Sequence, residues 1–412
     1  MRAGWYKYKL NEVCKIGDGN HSSNYPKANE MVSDGIPFIR ANNLVNGEVV
    51  WKDMKFISKQ KHQILKKGHL KSGDLLFTNR GEIGKIAILG SDFDNSNLNS
   101  QIAWFRCLEK IDNRFLFYFL NSPSMKTYYS VEKNGAALQQ FTIKQINEII
   151  IPLPPLPEQQ RIVAILDECF AALEKAKANA EQNLKNAKEL FESYLQGVFE
   201  NKGEGWEEKP LREVCSDFLQ GINTATDKTV FVDEGIPILQ AKEIGLNKLD
   251  LSNAKFITRD KFELAADRYK PKGGDILYNN IGSSMGRSII VDWDFDFAIA
   301  WNVMRIIPNR AITNPDFLNY ILQSPLVYKD IIFKAKGVGM PFISKKDLIE
   351  IMVSYPPLLE QQTIVRQLDA LRAETQKLEA VYQQKLADLE ELKKSILQKA
   401  FAGELTAKSI AS

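Results

Sequence analysis

A single offset runs through this chain. "LNEVC" at Leu10 to Cys14 returns as "LREVC" at Leu211 to Cys215, "GIPFIRANNL" from Gly35 as "GIPILQAKEI" from Gly235, and "KFIS" at Lys55 as "KFIT" at Lys255. "KSGDLLFTNRGEIGK" from Lys71 becomes "KGGDILYNNIGSSMGR" from Lys272 with one residue inserted, and "FLFYFLNSP" at Phe115 becomes "FLNYILQSP" at Phe317. Each copy closes on a proline junction, "PLPPLPEQQ" at Pro152 to Gln160 and "PPLLEQQ" at Pro356 to Gln362. A repeat restricts architecture more than local propensity does, because both copies must satisfy one fold. The 412 residues exceed what one core usually sustains, and two like domains account for them.

Within a copy, β-branched and aromatic runs separated by Gly, Asn and Asp read as strands. They fall at Ile36 to Arg40, Leu75 to Asn79, Lys85 to Leu89 and Ile102 to Cys107, matched by Ile236 to Gln240, Ile276 to Asn280 and Arg287 to Val291. Phe115 to Leu120 and Phe317 to Leu322 have helical apolar spacing and follow Asp112 and Asn314, both good N-cap residues. Each copy is therefore a mixed α/β domain, over 1–152 and 204–355.

After each junction the pattern turns helical, over 153–203 and 356–412. Apolar or small residues recur at Ile162, Leu166, Cys169, Leu173, Ala176 and Ala180, then at Ala187, Leu190 and Tyr194. The second seam is stricter: Ile364, Leu368, Leu371, Leu378, Tyr382, Leu389, Leu392 and Ile396, with Thr375 and Lys385 as polar interruptions. Such seams need partner helices, and each can supply the other's. Some 40 helical residues make a rod of about 60 Å. The prolines set its exit angle, since proline fixes φ and is tolerated in a helix's first turn. The order head, helix, head, helix favours an antiparallel two-helix coiled coil and approximate twofold symmetry, with two heads held apart by a bar. A target with two half-sites at fixed separation would suit it, and DNA is such a target.

The net charge of +3 hides an asymmetry: residues 1–152 hold 21 Lys+Arg against 14 Asp+Glu, and residues 201–357 hold 20 against 21. The basic first half is compatible with a nucleic-acid partner. No apolar run approaches a membrane span and the N-terminus lacks a signal-peptide core, so a cytoplasmic protein without membrane contact is expected. The four cysteines and three histidines spell neither a disulfide framework nor a metal site.

Catalytic motifs are weak. "NPDF" at Asn314 to Phe317 lacks the second proline of the adenine methyltransferase loop and is explained by Asn314 as N-cap and Pro315 at N1. "GEIGK" at Gly81 to Lys85 sits between strands and reads as a hairpin turn instead of a phosphate loop. The histidines have no counterparts in the second copy. The expectation is a chain that directs chemistry done by something else.

The heads, the P-L-P-P-L-x-E-Q-Q junction with its following "IVAILD" (Ile162 to Asp167) or "IVRQLD" (Ile364 to Asp369), and the terminal "LQKAFAGEL" at Leu397 to Leu405 resemble the specificity subunit of type I restriction-modification enzymes. The resemblance spans nearly the whole chain. It implies two target recognition domains, each reading half of a bipartite, asymmetric sequence in double-stranded DNA, and a coiled coil that sets the spacer. It also implies docking of two methyltransferase subunits, which carry S-adenosylmethionine and methylate adenine, and of restriction subunits, which use ATP and Mg. No cofactor is expected on this chain. The junction residues Glu158, Gln159, Gln160, Glu360, Gln361 and Gln362 are the candidates for partner binding.

Basic residues at matching positions are candidate phosphate contacts, since such contacts are independent of sequence: Lys55 with Lys255, Lys59 with Arg259, Lys61 with Lys261, Lys71 with Lys272, and Lys85 with Arg287. Lys52, Lys66, Lys67 and Arg80 extend the set. Base reading should fall where the copies disagree. "GDGNHSSNY" from Gly17, with Asn20, Ser22 and Asn24, stands against "FLQGINTATDK" from Phe218, with Gln220, Asn223 and Thr224. Arg40, Asn42 and Asn43 stand opposite Gln240, Lys242 and Glu243, and Thr78, Asn79 and Arg80 opposite Asn279, Asn280 and Ile281. Two rival readings remain: a self-sufficient DNA methyltransferase or nuclease with an unrecognised motif, and a coiled-coil scaffold for partners other than DNA.

Overall fold

The structure is a computed structural model and describes residues 4–19, 25–131, 140–245, 248–337 and 339–406. The chain divides into two compact units, 1–180 with 384–412 and 181–383.

In the first unit, the main sheet has strand order Cys14–Asp18, Ile102–Cys107, Leu75–Thr78, Ile86–Ile88, Glu48–Val49, Leu44–Val45. It is antiparallel except where Glu48 meets Ile88. A smaller sheet runs Asn97–Leu98, Ile36–Ile39, Lys55–Ile57, Met31–Val32, and Tyr6–Lys9 pairs with Ile150–Leu153 at the junction. The second unit repeats the plan with Cys215–Gln220, Val303–Pro308, Ile276–Asn279 and Ser288–Ile290 in one sheet, Lys255–Ile257, Ile236–Leu239 and Ala298–Ile299 in another, and Glu207–Pro210 paired with Met352–Tyr355. The expected strands lie within a residue or two of these bounds.

The expected helices form for the expected reason. Asp112 Oδ1 accepts from the amides of Arg114 (2.9 Å) and Phe115 (3.0 Å), opening Asn113–Leu120. Asn314 Oδ1 accepts from Phe317 at 3.0 Å, with Pro315 at N1 of Pro315–Gln323. The "NPDF" stretch is thus a helix start. "GEIGK" is the turn between two antiparallel strands, with Gly81 at φ 72° and Gly84 at φ 99°, a conformation glycine adopts without strain.

The long helices span Leu156–Glu200 and Leu358–Ala402. In the first unit they pair antiparallel: Lys177 Nζ meets Glu390 Oε1 at 2.9 Å while Lys393 Nζ meets Glu174 Oε1 at 3.0 Å, one number rising as the other falls. Ala180 and Ala187 are buried as the seam requires, while Ile162 and Leu166 are buried in the core of the first unit and Ile364 and Leu368 in that of the second. Leu190, Tyr194, Leu378 and Leu392 are instead exposed, and Thr375 is buried with its hydroxyl donating to Arg372 O. The seam shifts because the helix ends pack on the domains: Leu195 and Phe199 enter the core of the second unit, Leu397 and Ala400 that of the first.

Candidate nucleic-acid interface

Each unit builds its candidate surface on a loop clasp. In the first, the Arg40 amide donates to Asn43 Oδ1 (3.0 Å), while Asn43 Nδ2 donates to Val50 O (3.3 Å) and Lys52 O (2.9 Å). In the second, the Gln240 amide donates to Glu243 Oε2 at 2.9 Å. The outgoing strands close alike, Val50 N on Asn43 O and Asp250 N on Glu243 O, both at 2.9 Å. Asn43 and Glu243 are almost fully buried, so neither is placed to read a base. The expectation for Asn43 is corrected: its amide is consumed in holding the loop.

The clasp presents other side chains. Asn42 is exposed. Lys242 is exposed beside Glu243 (3.2 Å) and donates to Asn253 O at 2.7 Å. Arg40 reaches the matching carbonyl, Asp53 O, at 2.6 Å. The loop therefore brings Arg40, Asn42, Lys52 and Lys55 together in the first unit, and Gln240, Lys242 and Lys255 in the second. Lys255 Nζ lies 4.4 Å from the centroid of the Phe231 ring, a favourable contact for a cation.

Lys59 and Arg259 are exposed at the first helical position after Ser58 and Thr258, whose hydroxyls accept from Lys61 N and Lys261 N. Lys61 pairs with Glu30 (2.8 Å) and Lys261 with Asp227 (2.6 Å), Lys67 with Asp18 (3.2 Å), Lys85 with Glu82 (2.8 Å) and Arg259 with Asp296. Lys66, Lys71, Lys272 and Arg287 are exposed, and Arg80 is half-buried. A carboxylate partner on the surface is a weak tie, worth about 0–1 kcal/mol, and a phosphate can replace it.

Several polar candidates prove structural. Thr78 is buried and its hydroxyl donates to Glu82 O. Asn79 Nδ2 donates to Phe141 O at 3.2 Å, and Asn280 Nδ2 to Ile343 O at 3.3 Å, the same tie in both units. Asn279 is buried on Ala241 O. Gln220 donates to Asn280 Oδ1 (3.1 Å) and to Trp301 O, which leaves it half-buried. Asn223 is exposed but its Oδ1 accepts from Ala225 and Thr226 of its own turn, and Thr224 beside it is half-buried. Asn20, Ser22 and Asn24 lie outside the described residues.

The junction residues divide. Gln159 Nε2 donates to Lys110 O (2.9 Å) and Pro154 O (2.8 Å), and Gln361 Nε2 to Ile312 O (2.9 Å) and Pro356 O (2.8 Å). Both are fully buried, so the expectation that they face a partner is corrected. Glu158 accepts from Thr406 Oγ1 (2.8 Å) and Glu360 from Trp206 Nε1 (2.7 Å). Gln160 and Gln362 are exposed. A second clasp escaped the sequence reading: Tyr118 donates to Asp167, and Tyr320 to Asp369 at 2.5 Å. Its signal was the spacing of 49 residues between tyrosine and aspartate, the same in both copies. Burial and the Asp167 hydrogen bond push the Tyr118 phenol up to about 12.

A family model described as "Type I restriction modification DNA specificity domain" matches residues 2–182 and again 203–388. The chain belongs to this family. It is a specificity subunit in the company of the type I restriction enzyme EcoBI specificity subunit of Escherichia coli, 25% identical over 98% of this chain and 86% of that one. The EcoDI specificity subunit of Escherichia coli is 48% identical over 72% of this chain and 71% of its own. Two solved structures share the fold. One, from work on complex assembly and conformational transition of the type I R-M system, has a TM-score of 0.79 at 24% identity, covering 98% of this chain and 99% of that one. The HsdS subunit from Thermoanaerobacter tengcongensis has a TM-score of 0.65 at 23% identity, covering 98% of each. Among the described residues, no helix is long and apolar enough to cross a membrane.

Proposed function

We propose that each unit of this specificity subunit reads one half of a bipartite, asymmetric site in double-stranded DNA, and that the long helices set the spacer between the halves. The observation that carries this reading is the loop clasp: one backbone framework, held by Asn43 in one unit and Glu243 in the other, presents Arg40 and Asn42 in the first and Gln240 and Lys242 in the second. A constant scaffold with different side chains at matching positions, Asn42 and Lys242 exposed and Arg40 and Gln240 half-buried, is what two different base sequences require. Lys55, Lys59, Lys85, Lys255, Arg259 and Arg287 then neutralise phosphates.

The subunit acts without chemistry of its own. Two methyltransferase subunits bring S-adenosylmethionine and methylate adenine; restriction subunits bring ATP and Mg. Gln160 and Gln362, exposed beside the buried Gln159 and Gln361, are the junction positions open to such partners. The test combines titration calorimetry with duplex binding. The purified chain should take up no methyl donor and, with methyltransferase partners added, should bind duplex with an affinity that falls steeply with salt. Micromolar donor binding by the chain alone would favour a self-sufficient enzyme, and salt-independent or absent duplex binding a scaffold.

A further inference from the structure

We propose that Cys14 and Cys107 of the first unit form a disulfide when the chain meets a small-molecule disulfide such as oxidised glutathione. The two residues face each other directly in the antiparallel ladder of Cys14–Asp18 with Ile102–Cys107. The neighbouring hydrogen bond runs from Leu108 N to Val13 O at 2.9 Å. It joins the residue after one cysteine to the residue before the other, which makes the cysteines a non-hydrogen-bonded pair. In such pairs Cα atoms approach to about 4.5 Å and side chains are nearest. That separation falls within the roughly 4.4–6.8 Å that a disulfide spans.

The side chains also share a face. Cys14 and Phe105 belong to the buried core of the unit, and Cys107 and Ile16 pack against it. The neighbouring Cys107 thiol, together with burial, raises the Cys14 pKa. Cys14 is buried while Cys107 is half-exposed, so an oxidant reaches Cys107 first. The Cys107 thiolate attacks oxidised glutathione, releasing one glutathione thiolate and leaving a mixed disulfide. Cys14 gives its proton to water and attacks Cys107 Sγ, expelling the second glutathione. Two thiols are oxidised to one disulfide and one glutathione disulfide is reduced to two thiols.

The second unit cannot do this. Cys215 stands opposite Pro308, and the ladder shifts register between Cys215 and Asp217. Oxidation therefore acts on the first unit alone. It ties the edge strand leading into the polar segment from Gly17, where base reading is expected, to the strand beside it in the sheet.

The experiment is thiol counting in denaturant and peptide mapping of the native full chain after incubation with oxidised glutathione. The expected result is a fall from four free thiols to two, with Cys14 and Cys107 in one linked peptide pair that dithiothreitol separates. Cys14→Ser should stop at a glutathione adduct on Cys107. Should that variant fail to fold, Cys107→Ser at the half-exposed position should keep Cys14 reduced. Retention of all four thiols, arrest of the native chain at the glutathione adduct, a link through Cys169 or Cys215, or loss of the Cys14 thiol in Cys107→Ser would each overturn the proposal.

Discussion

The Gln159 carboxamide accepts from the amide of Asp112 at 2.8 Å, fastening the start of the long helix to the N-cap of the helix 47 residues earlier. Gln361 makes the same bond to Asn314 at 2.8 Å, again across 47 residues. The proline junction is thus an anchor: one buried glutamine satisfies one amide and two carbonyls that would otherwise be stranded. Gln159→Ala or Gln361→Ala should lower stability by about 1–3 kcal/mol in urea unfolding, because each leaves buried backbone groups unpaired. Gln160→Ala, at an exposed position, should leave stability unchanged.

Neighbouring asparagines should behave oppositely. Asn43→Ala removes the loop clasp and should cost about 1–3 kcal/mol by the same measurement. Asn42→Ala should leave stability within about 0.5 kcal/mol of the parent and alter duplex preference in one half-site, as read by competition binding.

Both units tie an arginine to the aspartate just ahead of a strand, Asp74 before Leu75–Thr78 and Asp275 before Ile276–Asn279, with different burial. Arg305 Nε donates to Asp275 Oδ2 at 2.6 Å with both side chains buried, whereas Arg106, which grips Asp74 at 2.6 Å, is 30% exposed. Asp275→Ala should cost about 3–5 kcal/mol, since it strands a buried guanidinium. Asp74→Ala should cost less, because water can reach Arg106. Paired unfolding curves of the two variants decide this.

The histidines give the first unit an acid sensitivity. His69 Nε2 donates to Leu65 O at 2.6 Å, which leaves its Nδ1 to accept from His62 Nε2 at 3.1 Å. Burial and the neighbouring His69 lower the His62 pKa, and its buried Nδ1 has no partner for an added proton. With the folded value below the ordinary value of about 6.5, the stabilisation is present above that pH and is lost as pH falls through the folded value. Hydrogen exchange in residues 58–70, corrected for intrinsic rate, should quicken between pH 7 and 5.5. His62→Gln should flatten this dependence, and the second unit, which has no histidine, should not share it.

The strands and both capped helices were legible because alternation and N-cap chemistry act over a few residues, as Asp112 and Asn314 illustrate. The antiparallel helix pairing followed from chain order. Gln159, Gln361, Asn43 and Asn79 were misread for a common reason. A polar side chain near an exposed motif looks available, and its burial depends on carbonyls elsewhere in the sequence, such as Lys110 O and Phe141 O. The seam misplaced Leu190 and Tyr194 because periodicity cannot tell where a helix leaves a helical partner for a domain core. Lys55 and Lys255 were placed correctly on the surface, since a lysine at a strand start is seldom buried without a partner.

The central claim is that the two units recognise DNA independently. Long-read methylation profiling in cells carrying the partner subunits tests it, comparing the parent chain with one bearing Gln240→Ala and Lys242→Ala in the second unit. The account predicts a methylated motif in which one half is relaxed while the other half and the spacer stay as in the parent. Simultaneous change in both halves would contradict it.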